Sequence, residues 1–159
     1  LDGTVDVLIS ERSEERNSEK IRELVPRNFG NSLAACIRRL NGYLQGWIGF
    51  FGICTAEEQT FQALDAHIRR RLRALQLRQW KRKRTIARKL VALGIRHQSA
   101  WKCTFAGRKS TWALSHTSPV DRALRNSYWD ARGLASIEQR WREMQANIGA
   151  PVQLALALG

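Results

Sequence analysis

The positively charged residues of this chain are concentrated in one long stretch. Residues 66–120 hold fifteen Lys and Arg residues and no Asp or Glu, while the whole chain has a net charge of +13. A stretch of one sign repels itself and gains free energy by binding a polyanion. These residues therefore predict nucleic-acid binding, and the alternative is an arginine-rich helix face that contacts only solvent.

The Cys, His, Asp and Glu residues do not have the spacing that a catalytic site or a metal site requires. Cys36, Cys54 and Cys103 are far apart, with no Cys-x-x-Cys pair and no histidine at metal-ligand spacing beside them. No Tyr-x-Asp-Asp sequence offers the carboxylates that hold two Mg²⁺ ions for polymerisation. We therefore expect no catalytic residue, no metal site and no cofactor. Three unpaired thiols favour a reducing, cytoplasmic location.

The first arginines of the basic stretch lie on a predicted helix. Apolar residues recur at helical spacing from Phe61 to Leu75 and define its buried face. At about 100° per residue, Arg70 and Arg73 point away from that face and Arg69 lies at its side. Arg71 falls at the core margin, where the stem is buried while the guanidinium reaches outward. The predicted phosphate contacts on this helix are Arg69, Arg70 and Arg73.

The preceding helix has one face of mostly small residues. Residues 33–51 place large apolar side chains on one side, with Asn31 or Ser32 as the N-cap. Each helical glycine costs roughly 1 kcal/mol relative to Ala, so three glycines within eight residues require a reason. The reason is close approach of a nucleic-acid duplex or, alternatively, packing of another helix or protein. The opposite side carries Arg38, Gly42, Gln45, Gly46 and Gly49.

The basic surface continues into the next predicted helix, from Thr85 to Leu93, which Gly94 ends. Further along, Trp101, Phe105 and Trp112 alternate with cations. These rings either stack on bases or belong to the core, and the sequence leaves both open. The predicted nucleic-acid-binding cations of this half of the stretch are Lys81, Arg82, Lys83, Arg84, Arg88, Lys89, Arg108 and Lys109.

Helical spacing without convincing strands predicts an all-α bundle with additional C-terminal helices. We expect one domain over residues 14–147, preceded by a linker or domain remnant (1–13) and followed by an apolar tail (148–159). A short helix is predicted over 18–24, one helix from Ser118 to about Gly133, and a last one after Ser136. The longest apolar stretch is too short to span a bilayer, so we expect no membrane contact.

Several segments of the chain resemble, in the same order, segments of one protein family. Residues 40–47 read Leu-Asn-Gly-Tyr-Leu-Gln-Gly-Trp and precede Phe50-Phe51. This sequence resembles the signature of the group II intron maturase-specific region, although the family often has Pro at Gly42 and Arg at Gln45. Losing a cation at 45 puts a direct phosphate contact there in doubt. Other segments resemble the same family at 18–24, 65–73, 80–82, 118–128 and 133–137.

The resemblance implies a particular architecture and function. Members are intron-encoded reverse transcriptases, in which a helical thumb follows the fingers and palm. The thumb, or X domain, holds the template–primer duplex and binds structured intron RNA during splicing. This chain is expected to be the thumb alone. It begins with Leu1 and lacks the polymerase carboxylates, so we expect it to be part of a longer RNA-directed DNA polymerase that supplies palm and fingers.

Two other classes of protein remain open at this point. One is a helical DNA-binding regulator, in which the predicted helix from Thr85 and the helix before it act as a helix-turn-helix pair. The sequence between these helices shows no clear short turn, and its charge is spread beyond one recognition helix. The other is a structural subunit, RNA-binding or docked on a protein through the glycine face.

Overall fold

The computed structural model of the 159-residue chain describes residues 6–26, 30, 32–55, 57–107 and 110–157. Within these residues the chain forms nine α-helices and no β-strand, which confirms the predicted all-α class. No helix in the described part is long and apolar enough to cross a membrane. The helices are α1 (Glu11–Leu24), α2 (Leu33–Phe51), α3 (Glu58–Trp80), α4 (Lys83–Ala92), α5 (His97–Phe105), α6 (Thr111–Leu114), α7 (Ser118–Ala123), α8 (Asn126–Asp130) and α9 (Ile137–Ala157).

The first helix is longer than predicted and is preceded by an ordered contact. Helix α1 begins at Glu11, because the Ser10 side chain accepts a hydrogen bond from the Ser13 amide and caps it. Before it, the Val7 amide donates to Thr55 Oγ1 at 3.1 Å and the Ile9 amide donates to a carboxylate oxygen of Glu57 at 3.0 Å. Part of the segment predicted as a linker is therefore bound to the chain between α2 and α3.

Helix α3 lies against α1, α4, α6 and α9. Ten of its 23 residues are buried. Burying one large aliphatic or aromatic side chain stabilises the fold by about 1.5–3 kcal/mol. Rings join three helices at one end of this core, where Phe61 contacts Trp47 of α2 at 5.9 Å and Trp141 of α9 at 5.3 Å between centroids. The predicted apolar positions are all buried: Phe61, Leu64, Ile68, Leu72 and Leu75.

The single helix predicted from Ser118 to about Gly133 is wrong, because the chain breaks at Leu124 between α7 and α8. The Leu124 carbonyl is released from the helical ladder and accepts hydrogen bonds from Arg73 Nε at 3.0 Å and Trp129 Nε1 at 3.1 Å. Two hydrogen bonds from side chains thus replace the one backbone hydrogen bond that this carbonyl would accept in a continuous helix. The N-cap of α7 is Thr117, one residue before the predicted Ser118.

Helix α9 continues to Ala157, so it extends into the segment predicted as a separate apolar tail. It packs on the end of α2, where Trp141 Nε1 donates to the Cys54 carbonyl at 2.7 Å and Gln145 donates to the Gly52 carbonyl at 2.7 Å. A side chain at Gly52 would collide with Met144 of α9. The bundle is thus closed by contacts between its second and last helices.

Candidate nucleic-acid interface

One face of α2 is open to solvent over three turns. Arg38 and Gln45 are exposed on it, as are its three glycines. A Cβ atom built on Gly42, Gly46 or Gly49 meets no atom within 4 Å. Within the described residues, no other helix of this chain therefore packs on the glycines. We call Arg38, Gly42, Gln45, Gly46 and Gly49 the open face of α2.

The opposite face of α2 fixes the helix in the bundle. Large apolar side chains such as Leu40 and Leu44 are buried there. The Tyr43 hydroxyl donates to Asn17 Oδ1 of α1 at 2.8 Å. Burial raises the pKa of Tyr43 further above neutral pH. The open face is therefore held on a rigid support.

Asn41 is a structural residue that the sequence analysis did not single out. Its Nδ2 donates to the Gly133 carbonyl at 2.6 Å, and its Oδ1 accepts from the Ala135 amide at 2.9 Å. Both backbone groups belong to the connection before α9. The side-chain amide of this signature residue thus binds the backbone of the C-terminal segment.

Arg69 and Arg70 are the outward-facing arginines in the middle of α3, and Arg78 near the end of the helix is also exposed. Arg70 is exposed and Arg69 is half-buried. Within the described residues, no hydrogen bond or ion pair occupies either guanidinium. Both are free to contact an external anion, in agreement with the helical phase predicted from the sequence.

Arg71 does not reach outward as predicted, because its guanidinium binds the end of α1. It is 8% exposed. Its Nε and Nη2 donate to the Val25 carbonyl at 3.2 and 2.8 Å, and Nη2 also donates to the Arg22 carbonyl at 3.4 Å. The last carbonyls of a helix lack intrahelical donors and carry partial negative charge, which favours a cation there.

Arg73 is also turned inward, so the prediction that it points into solvent is wrong. Its side chain is 12% exposed, donates to the Leu124 carbonyl that ends α7, and forms an ion pair with Asp121 at 2.6 Å. Burial lowers the pKa of the Arg73 guanidinium, and Asp121 opposes that effect. Its Nε and Nη1 atoms are thus occupied by groups at the end of α7 and on Asp121.

The basic turn, which we define as Lys81–Arg84, joins α3 to α4 and is fully exposed. Lys81 has φ 61° and ψ −68°, and the Arg82 amide donates to the Trp80 carbonyl at 2.8 Å. This is a γ-turn of the rare, strained kind. The two helices are thus joined by only two residues, so the predicted lack of a short turn is wrong.

Helix α4 adds two further exposed cations, Arg88 and Lys89. Arg108 and Lys109, which were also predicted to bind nucleic acid, lie outside the described residues.

The pKa of His67 on α3 is lowered first by burial and then by the nearby cations Arg71, Arg22 and Arg70. Its Nε2 atom is buried and has no hydrogen-bond partner among the residues that the structure describes.

The open face and the basic turn belong to helices that have different neighbours in the bundle. Helix α2 packs on α1 and α9, whereas α4 packs on α3, α5 and α7. Helix α3, with Arg69 and Arg70, lies between these two groups. The structure therefore brings the basic turn together with α4 and keeps the glycines on a separate helix.

The buried carboxylate of Asp65 has a structural position. Asp65 is 4% exposed and accepts from Ser136 Oγ at 2.8 Å, the Ile137 amide at 2.9 Å and the Glu138 amide at 3.2 Å. It therefore caps the N-terminus of α9 from a distant helix. In the described part of the chain, no three His, Cys, Asp or Glu side chains are grouped as a metal site requires.

Sequence spacing contained a sign of this role for Asp65. The residue lies four positions after Phe61 and three before Ile68, which is the phase of the buried face. A carboxylate at such a position must be hydrogen-bonded to be tolerated in the core. The identity of its partners, about seventy residues away, had no comparable sign.

Comparison with known proteins gives one match. Residues 15–92 match the family described as "Group II intron, maturase-specific domain", and this segment contains the open face, the basic turn and α4. No curated protein matches the chain. The matched family agrees with the resemblance seen at residues 40–47. Residues 15–92 are therefore a maturase-specific domain of a group II intron protein, and this match supports a maturase-specific role in group II intron splicing.

Proposed function

We propose that this chain is the thumb of a group II intron reverse transcriptase and that it binds RNA duplex through its backbone. The substrates would be structured intron RNA and the template–primer duplex, with palm and fingers supplied by the parent polymerase in the cytoplasm. The observation that carries the proposal is the absence of carboxylates from residues 66–120, combined with the exposure of Arg70, the basic turn, Arg88 and Lys89.

Shape favours a duplex as the ligand of the open face. An A-form RNA helix presents phosphates and 2′-hydroxyls around a shallow minor groove, which proteins recognise largely by shape. A helix face without side chains at Gly42, Gly46 and Gly49 allows that groove to approach the backbone closely. Arg38 lies on the same face and supplies a cation for a phosphate.

Substitutions at Gly49 test the use of this face. Because a Cβ there meets nothing, Gly49→Ala should fold normally and bind an RNA duplex nearly as well as the unchanged protein. Gly49→Leu should fold as well but lower duplex affinity by about tenfold or more, since a long side chain prevents close approach. Filter binding measures affinity, and circular-dichroism melting verifies folding. Equal affinity of the Leu and Ala variants would show that the face is not used.

A second candidate function is duplex DNA recognition by α3 and α4. The two-residue connection between these helices favours it, because helix-turn-helix proteins join their helices by short turns. Binding to a structured intron RNA, a random duplex DNA and single strands separates the two functions. Preference for the DNA would favour the regulator, and equal, weak affinity for all of them would overturn the thumb proposal.

A further inference from the structure

Helix α5 carries a stack of three rings that the proposed duplex binding does not use. His97, Trp101 and Phe105 are spaced four residues apart, so they lie on one side of the helix. Centroids of His97 and Trp101 are 5.5 Å apart with 29° between the ring planes. Trp101 and Phe105 are 5.3 Å apart and nearly parallel, at 4°.

The two rings at the ends of this stack are not buried in the core. The buried side of α5 consists of Ala100 and Thr104. Trp101 is half-buried against the core, whereas His97 is exposed and Phe105 is 45% exposed. Part of the Phe105 ring is therefore accessible to a ligand from outside the protein.

Positive charge surrounds the exposed end of the stack. Lys83 Nζ lies 5.9 Å from the Phe105 ring centroid and donates to the Gly107 carbonyl at 3.3 Å. Lys102, on the same helix as the rings, is exposed. With no carboxylate between residues 66 and 120, an anion near Phe105 meets only cations from this part of the chain.

We propose that Phe105 stacks on an unpaired base of a single-stranded nucleic acid, while Lys83 and Lys102 neutralise the adjoining phosphates. Aromatic rings beside a positively charged surface bind single strands in this way, because every base has a face available for stacking. Bases within a duplex have both faces covered, so this contact requires an unpaired nucleotide. The inference goes beyond the proposed function, which involves only duplex backbone and shape.

The experiment compares single strands with a duplex on four proteins. The ligands are a U-rich RNA 12-mer, its DNA counterpart and a blunt RNA hairpin whose strands are joined by a non-nucleotide linker, each measured by fluorescence anisotropy at fixed salt. Phe105→Ala should weaken single-strand binding by roughly 5- to 150-fold, as expected for loss of one stacked base, and leave hairpin binding and the melting temperature nearly unchanged. Phe105→Tyr should retain single-strand affinity. Phe50→Ala removes a still more exposed phenylalanine, 73% against 45% for Phe105, from α2 and should change nothing.

The results separate this inference from the proposed function. Hairpin binding without single-strand binding, an unchanged single-strand affinity in Phe105→Ala, or an equal loss for both ligands would overturn the stacking proposal. Single-strand binding that depends on Phe105 without hairpin binding would support stacking and overturn the duplex proposal. A higher affinity for the RNA 12-mer or for the DNA 12-mer identifies which nucleic acid supplies the stacked base.

Discussion

Neighbouring arginines of α3 have different roles because the helix directs them toward different surroundings. Arg70 faces solvent, whereas Arg71 and Arg73 donate to the last carbonyls of α1 and α7. Their sequence positions differ by only one to three residues. A count of basic residues therefore overstates the charge that is free to bind RNA.

Replacing Arg73 should mainly lower stability. Arg73→Gln removes a hydrogen bond from a buried charged donor to the Leu124 carbonyl, together with an ion pair whose Asp121 side is 60% exposed, so the free energy of unfolding should fall by about 1.5–3 kcal/mol. The matched control is Arg70→Gln, an exposed change expected to stay within about 0.5 kcal/mol. Urea unfolding measures both. If the two variants were equally stable, the inward position of Arg73 would be disproved.

His67 should make the fold sensitive to acid. Its pKa is lowered in the folded state, so the unfolded chain, with a pKa of about 6.5, binds a proton at higher pH. Neutral His67 therefore contributes to the free energy of unfolding above pH 6.5. This contribution is lost as the pH falls from 6.5 toward the lowered pKa of the folded state. Melting temperatures from pH 7.5 to 5.5 should show this loss, and His67→Leu should reduce it. His97→Gln, at an exposed ring, should not reduce it.

Lys81 stores backbone strain within the basic turn. Its positive φ costs an L-residue of order 1–3 kcal/mol, so Lys81→Gly should raise stability by about 1 kcal/mol after the greater chain entropy of glycine is included. Lys81→Gln keeps the strain and should leave stability unchanged. Both variants lose the same charge, so any loss of RNA affinity should be equal. A lower melting temperature for the glycine variant would contradict the γ-turn.

At the scale of whole helices, apolar periodicity predicted the buried faces, which depend on local spacing. It did not predict helix boundaries that depend on contacts between distant residues. The buried faces of α2 and α3 follow from apolar spacing, and Gly94 ends α4 as predicted. The break at Leu124 depends on Arg73, 51 residues earlier, and no spacing within 118–133 indicates it. The early start of α1 depends on the Ser10 cap in a charged segment without apolar periodicity.

Capping of α9 from α3 should contribute strongly to stability. Asp65→Ala leaves two backbone amides and a serine hydroxyl of the α9 N-terminus without their acceptor, so unfolding should become easier by about 1–3 kcal/mol. Asp130→Ala, at an exposed carboxylate on α8, serves as the control. Limited proteolysis should also cut before α9 faster in the Asp65 variant. Unchanged melting and proteolysis would show that α9 does not need this cap.

Across the whole molecule, charge is divided between the basic stretch, residues 66–120, and a remainder that is nearly neutral. The proposed RNA binding should therefore weaken steeply with salt, by about 10³–10⁵ between 50 and 200 mM for six to ten phosphate contacts. Removing both outward arginines, Arg69→Gln with Arg70→Gln, should reduce the slope of log affinity against log salt by up to about two. Arg73→Gln should leave that slope unchanged. A slope near zero in the unchanged protein would rule out backbone binding.

The paired hydrogen bonds of Asn41 with the 133–135 backbone, and of Asp65 with the start of α9, have a consequence for recombination between relatives. A chimera that crosses over between residues 92 and 133 takes one half of each pairing from each parent. Such a chimera keeps its fold only when both parents share this arrangement. The parts of the chain that must be inherited together are therefore separate in sequence. They are the maturase-specific segment and a helix that begins 45 residues beyond that segment.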